Sequence, residues 1–299
     1  ARLRGAMHTR LRDRSAIAHH YDLSNEFYAL LLDEHLAYSA GYFESPSTAS
    51  DQSLHDAQTA KLDLICAKLG LREGMRLLDV GCGWGSLILH AAQHYGVHAT
   101  GITLSEQQRG FIAVRASERG LSDAIDVRLQ DYREFGELPG IAGTFDAVSS
   151  IEMGEHVGEA HYPEYVAVMF EALKPRGRLL LQQMSRSVDA APGGGAFIER
   201  YIAPDMHMRP LWQTLRHLQL EGFEIRGVEA MREHYVRTVD AWIETFETHH
   251  EQFVDLVGEE VVRAWRLYLV GGRLAFAEGR MGVDQVLAAK TTGVGVSGF

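Results

Sequence analysis

The stretch Leu77-Leu78-Asp79-Val80-Gly81-Cys82-Gly83-Trp84-Gly85 decides the fold. A short apolar run ends in glycines spaced two apart, and the chain then turns helical through residue 92. Such a run, bounded by glycine, reads as a buried strand. Glycine lets the backbone approach a ligand closely, and the helix that follows presents free N–H groups. The third glycine stands two residues after the second rather than three, which departs from the dinucleotide fingerprint. No Lys-Ser or Lys-Thr follows, so a phosphate-cradling P-loop is excluded.

Outward from this loop the texture alternates. Strands are expected at 76–80, 97–102, 124–129, 145–151 and 178–183, with helices near 105–119 and 160–173 between them. That alternation indicates an α/β fold with a doubly wound, parallel sheet. A sixth strand is expected at 223–231 and a last one at 282–290, with 238–279 helical between them. Residues 15–71 read as helical from their three- and four-residue apolar spacing. Ala190-Ala191-Pro192-Gly193-Gly194-Gly195 reads as a loop, and 196–220 as an irregular and helical insertion. The glycine-rich tail after Thr292 is expected to be mobile.

Composition narrows the class. The 299 residues are 46% hydrophobic and 23% charged, which suits a packed globular protein and excludes a disordered chain. Lys+Arg 29 against Asp+Glu 40 gives 29 − 40 = −11, against a general nucleic-acid footprint. No apolar run of membrane-spanning length and no signal peptide is visible. Two cysteines cannot make a disulfide framework, which points to a reducing, cytoplasmic setting. Cys66 reads as core and Cys82 as small-residue packing. The histidines, His19-His20 and His249-His250 included, make no metal pattern with the cysteines, so no metal is expected. The acidic total hides Arg2, Arg4, Arg10, Arg12 and Arg14 against Asp13 alone. This start reads either as a solvated segment or as peripheral contact with an anionic membrane surface, where each basic residue is worth about 1 kcal/mol.

The glycine loop resembles the first motif of class I S-adenosylmethionine-dependent methyltransferases, and more narrowly that of the cyclopropane fatty acid synthase family, which includes the mycolic acid cyclopropane synthases. Further stretches match that family. They are His20-Tyr21-Asp22-Leu23-Ser24-Asn25-Glu26-Phe27-Tyr28, Tyr38-Ser39-Ala40-Gly41-Tyr42-Phe43, Gln58 with Lys61-Leu62, Gly101-Ile102-Thr103-Leu104-Ser105-Glu106-Gln107-Gln108, Leu129-Gln130-Asp131-Tyr132-Arg133 and Glu155-His156-Val157-Gly158. The resemblance covers about residues 15–290. It implies a Rossmann-like, mostly parallel seven-stranded sheet. A helical segment over 1–71 would cap the cofactor site of a methyltransferase domain at 72–299, with an acyl-channel lid at about 186–220.

The resemblance also implies a cofactor site. Tyr38 and Ser39 would approach the methionine end of S-adenosylmethionine, with Asp79, Gly81, Gly83 and Gly85 beneath it. Thr103, Leu104 and Gln108 would lie near the ribose and methionine portions, and Gln130, Asp131 and Tyr132 near the adenine. Ile151 would close the floor. In the resembled family a bicarbonate ion accepts the proton, held near a cysteine, a glutamate, a histidine and a tyrosine. The glutamate corresponds to Glu155, beside His156, and the tyrosine to Tyr235. The cysteine position is Ala40 here, and the histidine position is Gln182.

Methyl transfer to an alkene leaves a carbocation, so the site must stabilise positive charge, exclude water and supply a base. Aromatic faces such as Tyr21, Tyr38, Tyr42 and Phe43 suit the first task. With two of four polar ligands replaced, the expected outcome is proton loss without ring closure, which gives a methylene-branched chain, as a tuberculostearic acid pathway requires. Tyr201-Ile202-Ala203-Pro204-Asp205-Met206-His207-Met208 is similar to related actinobacterial methyltransferases and favours that outcome. The substrate implied is an unsaturated phospholipid acyl chain. A reductase partner and a homodimer are both compatible with it. A true cyclopropane synthase, a small-molecule methyltransferase and an inactive lipid- or cofactor-binding subunit are the competing readings.

Overall fold

The computed structural model describes residues 25–46 and 51–298. The basic start and Tyr21 therefore lie outside the described residues. The sheet is built from β1 (Arg76–Val80), β2 (His98–Thr103), β3 (Ile125–Leu129), β4 (Phe145–Ile151), β5 (Leu173–Arg186), β6 (Phe223–Ala230) and β7 (Met281–Lys290). Their spatial order is β3-β2-β1-β4-β5-β7-β6. The first five are parallel, and β7 runs antiparallel between β5 and β6. This is the seven-stranded, mostly parallel sheet of class I methyltransferases. The order reverses at β1, and ligands in open α/β sheets bind at the carboxyl ends of the strands beside such a switch point.

The helices are α1 (Asn25–Leu31), α2 (Leu54–Leu69), α3 (Ser86–Tyr95), α4 (Glu106–Glu118), α5 (Tyr132–Gly136), α6 (Tyr162–Ala172), α7 (Gly195–Tyr201), α8 (Leu211–Glu221), α9 (Arg232–Thr248), α10 (His250–Val257) and α11 (Glu259–Ala277). One face of the sheet buries Leu62, Ile65, Leu87, Ile88 and Ile112 from α2, α3 and α4. The other buries Phe135, Tyr165, Met169 and Leu218 from α5, α6 and α8. A third, aromatic core lies over the carboxyl ends of the strands. There Phe27 and Tyr28 of α1 meet Trp242 of α9 and Trp265 of α11, all essentially fully buried.

Two helical expectations are corrected. Residues 32–46 are not helical. Leu36 adopts φ +52°, and the backbone N–H groups of Ala40, Gly41 and Phe43 donate across the fold to Glu152 Oε1 (2.8 Å), Thr238 Oγ1 (2.9 Å) and His234 Nδ1 (2.9 Å). Tertiary partners thus replace the i→i−4 bonds that a helix would offer. The stretch 238–279 is also not one helix. It breaks at His249 and at Gly258, whose φ +82° and ψ 155° no helix accommodates. The insertion holds α7 and α8, with 202–210 irregular between them. Among the described residues no helix is long and apolar enough to cross a membrane.

Candidate active site

The cleft opens where β1, β2 and β4 end, and with its mouth it encloses about 1420 Å³. Gly81 and Gly83 line it at φ +79° and +53°. A Cβ on Gly83 would meet nothing within 4 Å among the described residues, and Gly83 lines the cleft. Gly85 has another task. It is the N-cap of α3, its added Cβ would strike Ile112 at 2.8 Å, and it lies outside the lining. Asp79 is buried and accepts from Ser149 Oγ at 2.7 Å; burial pushes its carboxyl up to about 6.

Tyr38, Ser39, Asp79, Thr103, Leu104, Gln108, Gln130, Asp131, Tyr132, Ile151 and His156 all line this cleft. Thr103 Oγ1 donates to Gln108 Oε1 at 2.6 Å, while the buried Gln108 Nε2 has no partner among the described residues. Asp131 is committed to Arg133, whose Nε and Nη2 both donate to its carboxylate, and it caps α5. An orphaned amide donor and a glycine cradle that a side chain would fill are what an adenosylmethionine site requires. The residues present therefore fit that cofactor.

Glu155, Gln182 and Tyr235 do not line the cleft; they lie buried behind it. Glu155 follows β4 in a 3₁₀ turn, Gly154–His156. Among the described residues its Oε2 has no hydrogen bond, and burial together with the charge of Glu152 holds its carboxyl well above the usual range. Arg209, wholly buried, holds the surrounding turn by donating to Gly154 O (3.1 Å) and Val157 O (3.0 Å).

The sequence reading missed Glu152. It lines the cleft directly after β4, at φ +50°. Its Oε1 accepts from Ala40 N and, at 2.9 Å, from Gln182 Nε2. The Tyr235 phenol neighbours the same carboxylate. Burial raises the Glu152 carboxyl, and these donors together with Lys61 pull it back down. Its position at the carboxyl end of a central strand was the available signal.

Lys61 donates to Ser39 Oγ at 2.8 Å and is buried beside Asp79 and Glu152; desolvation pushes its ammonium down to about 8. A lysine depressed from about 10.5 costs stability at neutral pH, and the cost is relieved as pH rises from about 8 towards 10.5. Over that window the stability of wild type is expected to gain relative to Lys61→Met. Parallel denaturation profiles for the two proteins would refute that linkage.

Both cysteines are buried with thiols pushed up by desolvation, Cys66 to about 12, so neither is a ready nucleophile. Among the described residues Asp33, His35 and His55 could approach one ion. The two imidazoles stack with ring planes 4° apart and centroids 4.8 Å apart, however. In-plane lone pairs on parallel, stacked rings do not converge on one point.

Residues 8–286 match the mycolic acid cyclopropane synthetase family. A probable fatty acid methyltransferase of Pseudomonas putida is 39% identical over 95% of this chain and 71% of its own length. A probable fatty acid methyltransferase of Mycobacterium tuberculosis is 36% identical over 96% of this chain, which spans 65% of that relative. Among solved structures, the cyclopropane synthase MmaA2 from Mycobacterium tuberculosis superposes with a TM-score of 0.84 at 30% identity, covering 92% of this chain and 97% of that one. Mycolic acid cyclopropane synthase CmaA1, complexed with SAH and CTAB, gives 0.83 at 29% identity over 92% and 97%. A match that runs through nearly the whole fold leaves one assignment: the chain belongs to the mycolic acid cyclopropane synthetase family, as an S-adenosylmethionine-dependent methyltransferase.

Proposed function

We propose that this enzyme methylates the double bond of an unsaturated fatty acyl chain of a phospholipid, and that the product is a methylene branch rather than a cyclopropane. One observation carries the reading: a half-buried carboxylate, Glu152, lines the same cleft as the aromatic side chains Tyr38, Trp84 and Tyr132. Behind Tyr38 and Trp84 the aromatic core continues through Tyr28, Tyr235, Trp242 and Trp265. Ring centroids lie 4.6 Å apart for Tyr28 and Trp84 and 5.2 Å apart for Tyr38 and Trp242. When bound, adenosylmethionine supplies an electrophilic methyl group and leaves as its demethylated product.

The chain's own residues do the rest. Aromatic faces favour a cation through their quadrupole, and filling the cleft with an apolar acyl chain would keep water from trapping it. Ala203, Pro204 and Asp205, from the segment between α7 and α8, also line the cleft and suit a lid over an acyl chain. The relatives named as fatty acid methyltransferases support a lipid acceptor. The five arginines near the start suit a peripheral anionic membrane contact at the cytoplasmic face. A partner reductase would act after this step.

The test is product analysis on oleoyl phospholipid vesicles with adenosylmethionine. A gain of one CH₂ on the unsaturated chain is expected, with fragmentation that places a methylene branch. A product that is cyclopropane alone would overturn the branch assignment, and methylation of small molecules but never of lipid would overturn the acceptor.

A further inference from the structure

Three separated segments converge on one carboxylate: Ala40 N from the 32–46 segment, the Gln182 amide from β5 and the Tyr235 phenol from α9. Convergent donors of this kind ordinarily cradle an anion. Here the chain supplies the anion itself. Glu152 pays for its place with a left-handed backbone, which costs a non-glycine residue on the order of 1–3 kcal/mol and clusters at functional sites.

The orientation of the Gln182 amide is not free. Lys68 carries donors only, and its ammonium donates to Gln285 Oε1 at 2.6 Å while it pairs with Glu229. Gln285 must therefore turn its Nε2 the other way, where it donates to Gln182 Oε1 at 2.9 Å. Gln182 in turn must present Nε2 to Glu152. A fixed positive charge thus sets the sense of two amides and places a donor on Oε1. Oε2 is left without a hydrogen bond among the described residues. Of the two neighbouring carboxyls, Glu152 lines the cleft and meets the Ala40 N–H and the Gln182 amide, while Glu155 lies outside the lining, so the charge that acts on the cleft is placed on Glu152.

We propose that Glu152 is the built-in proton acceptor of this site, that no free anion is needed, and that the Lys68–Gln285–Gln182 relay positions its carboxylate. This rests on the methylation reading above. In the step, a C–H bond of the newly methylated, cationic acyl chain breaks. Its electron pair becomes the new carbon–carbon double bond, and the proton passes to a Glu152 oxygen, which releases it to water after the product leaves.

The experiment uses the whole chain with oleoyl phospholipid vesicles and adenosylmethionine, in buffer with and without bicarbonate. Wild-type turnover is expected to be the same in both. Glu152→Gln should lower kcat by about 10²–10⁴-fold, the range of a positioned base, with cofactor affinity retained in calorimetry. Glu152→Asp should recover part of that loss, because it keeps the charge but withdraws it by one methylene. Gln285→Leu should release the Gln182 amide and move the acidic limb of the kcat–pH profile upward, a shift that a merely structural role would not produce. Full activity in Glu152→Gln, or a wild type that stalls without bicarbonate, would overturn the proposal while leaving the methylation reading intact. A wild type that transfers no methyl group to any lipid would overturn both.

Discussion

Replacing Gly83 by valine is expected to weaken adenosylmethionine binding by about 100-fold or more. Two effects add. At φ +53° a β-branched residue strains the backbone, on the order of 1–3 kcal/mol. The new side chain would also take up space in the cleft that Gly83 lines, where no atom of the described residues stands within 4 Å of its Cβ. Gly74 separates these effects. It has φ +79° and equally open surroundings but lies in the turn between α2 and β1, outside the cleft. Gly74→Val should lower the melting temperature and leave calorimetric affinity alone, whereas Gly83→Val should lose the affinity. Equal affinities in both variants would move the cofactor off this loop.

Replacing Arg209 by methionine is expected to destabilise the fold by about 2–6 kcal/mol, since each buried carbonyl left without its donor costs about 1–3 kcal/mol. The guanidinium is wholly buried, donates to two backbone carbonyls of the 154–157 turn and lies 3.7 Å from the centroid of the Tyr162 ring. Its contact with Glu159 adds less, because that carboxylate is half in water. Without Arg209 two buried carbonyls lose their donors, and methionine fills only part of the volume. The turn also carries Val157 and Gly158, which line the cleft, so cofactor affinity should fall with stability. Arg263→Met is the comparison: that side chain is exposed and pairs with Glu259 along its own helix, and its denaturation midpoint should match wild type. A midpoint for Arg209→Met equal to that of Arg263→Met would refute the stapling role.

How much of this was legible follows from where each feature gets its cause. The strands were readable because a parallel sheet covered on both faces needs apolar runs of fixed length between turn residues, and all seven expected strands are present with edges shifted by a few residues. The glycine loop was readable because its conformation is a backbone property, written in the residues themselves. The helices were readable as classes but not as breaks. The 32–46 segment has helical apolar spacing, yet Thr238, His234 and Glu152 offer its backbone better partners from more than a hundred residues away.

The sequence by itself determined the sheet, the cofactor loop and the family, all of which depend on patterns within a few dozen residues. Only the tertiary structure decided which carboxylate faces the cleft. Glu152 and Glu155 are three residues apart on one apolar run, and a single left-handed φ followed by a 3₁₀ turn sends one to the cleft wall and the other behind it. Only the tertiary structure joined Lys68 to Glu152 through Gln285 and Gln182, which lie on α2, β7 and β5. Hydrogen-bond polarity propagates through space rather than along the chain, so no local pattern carries it.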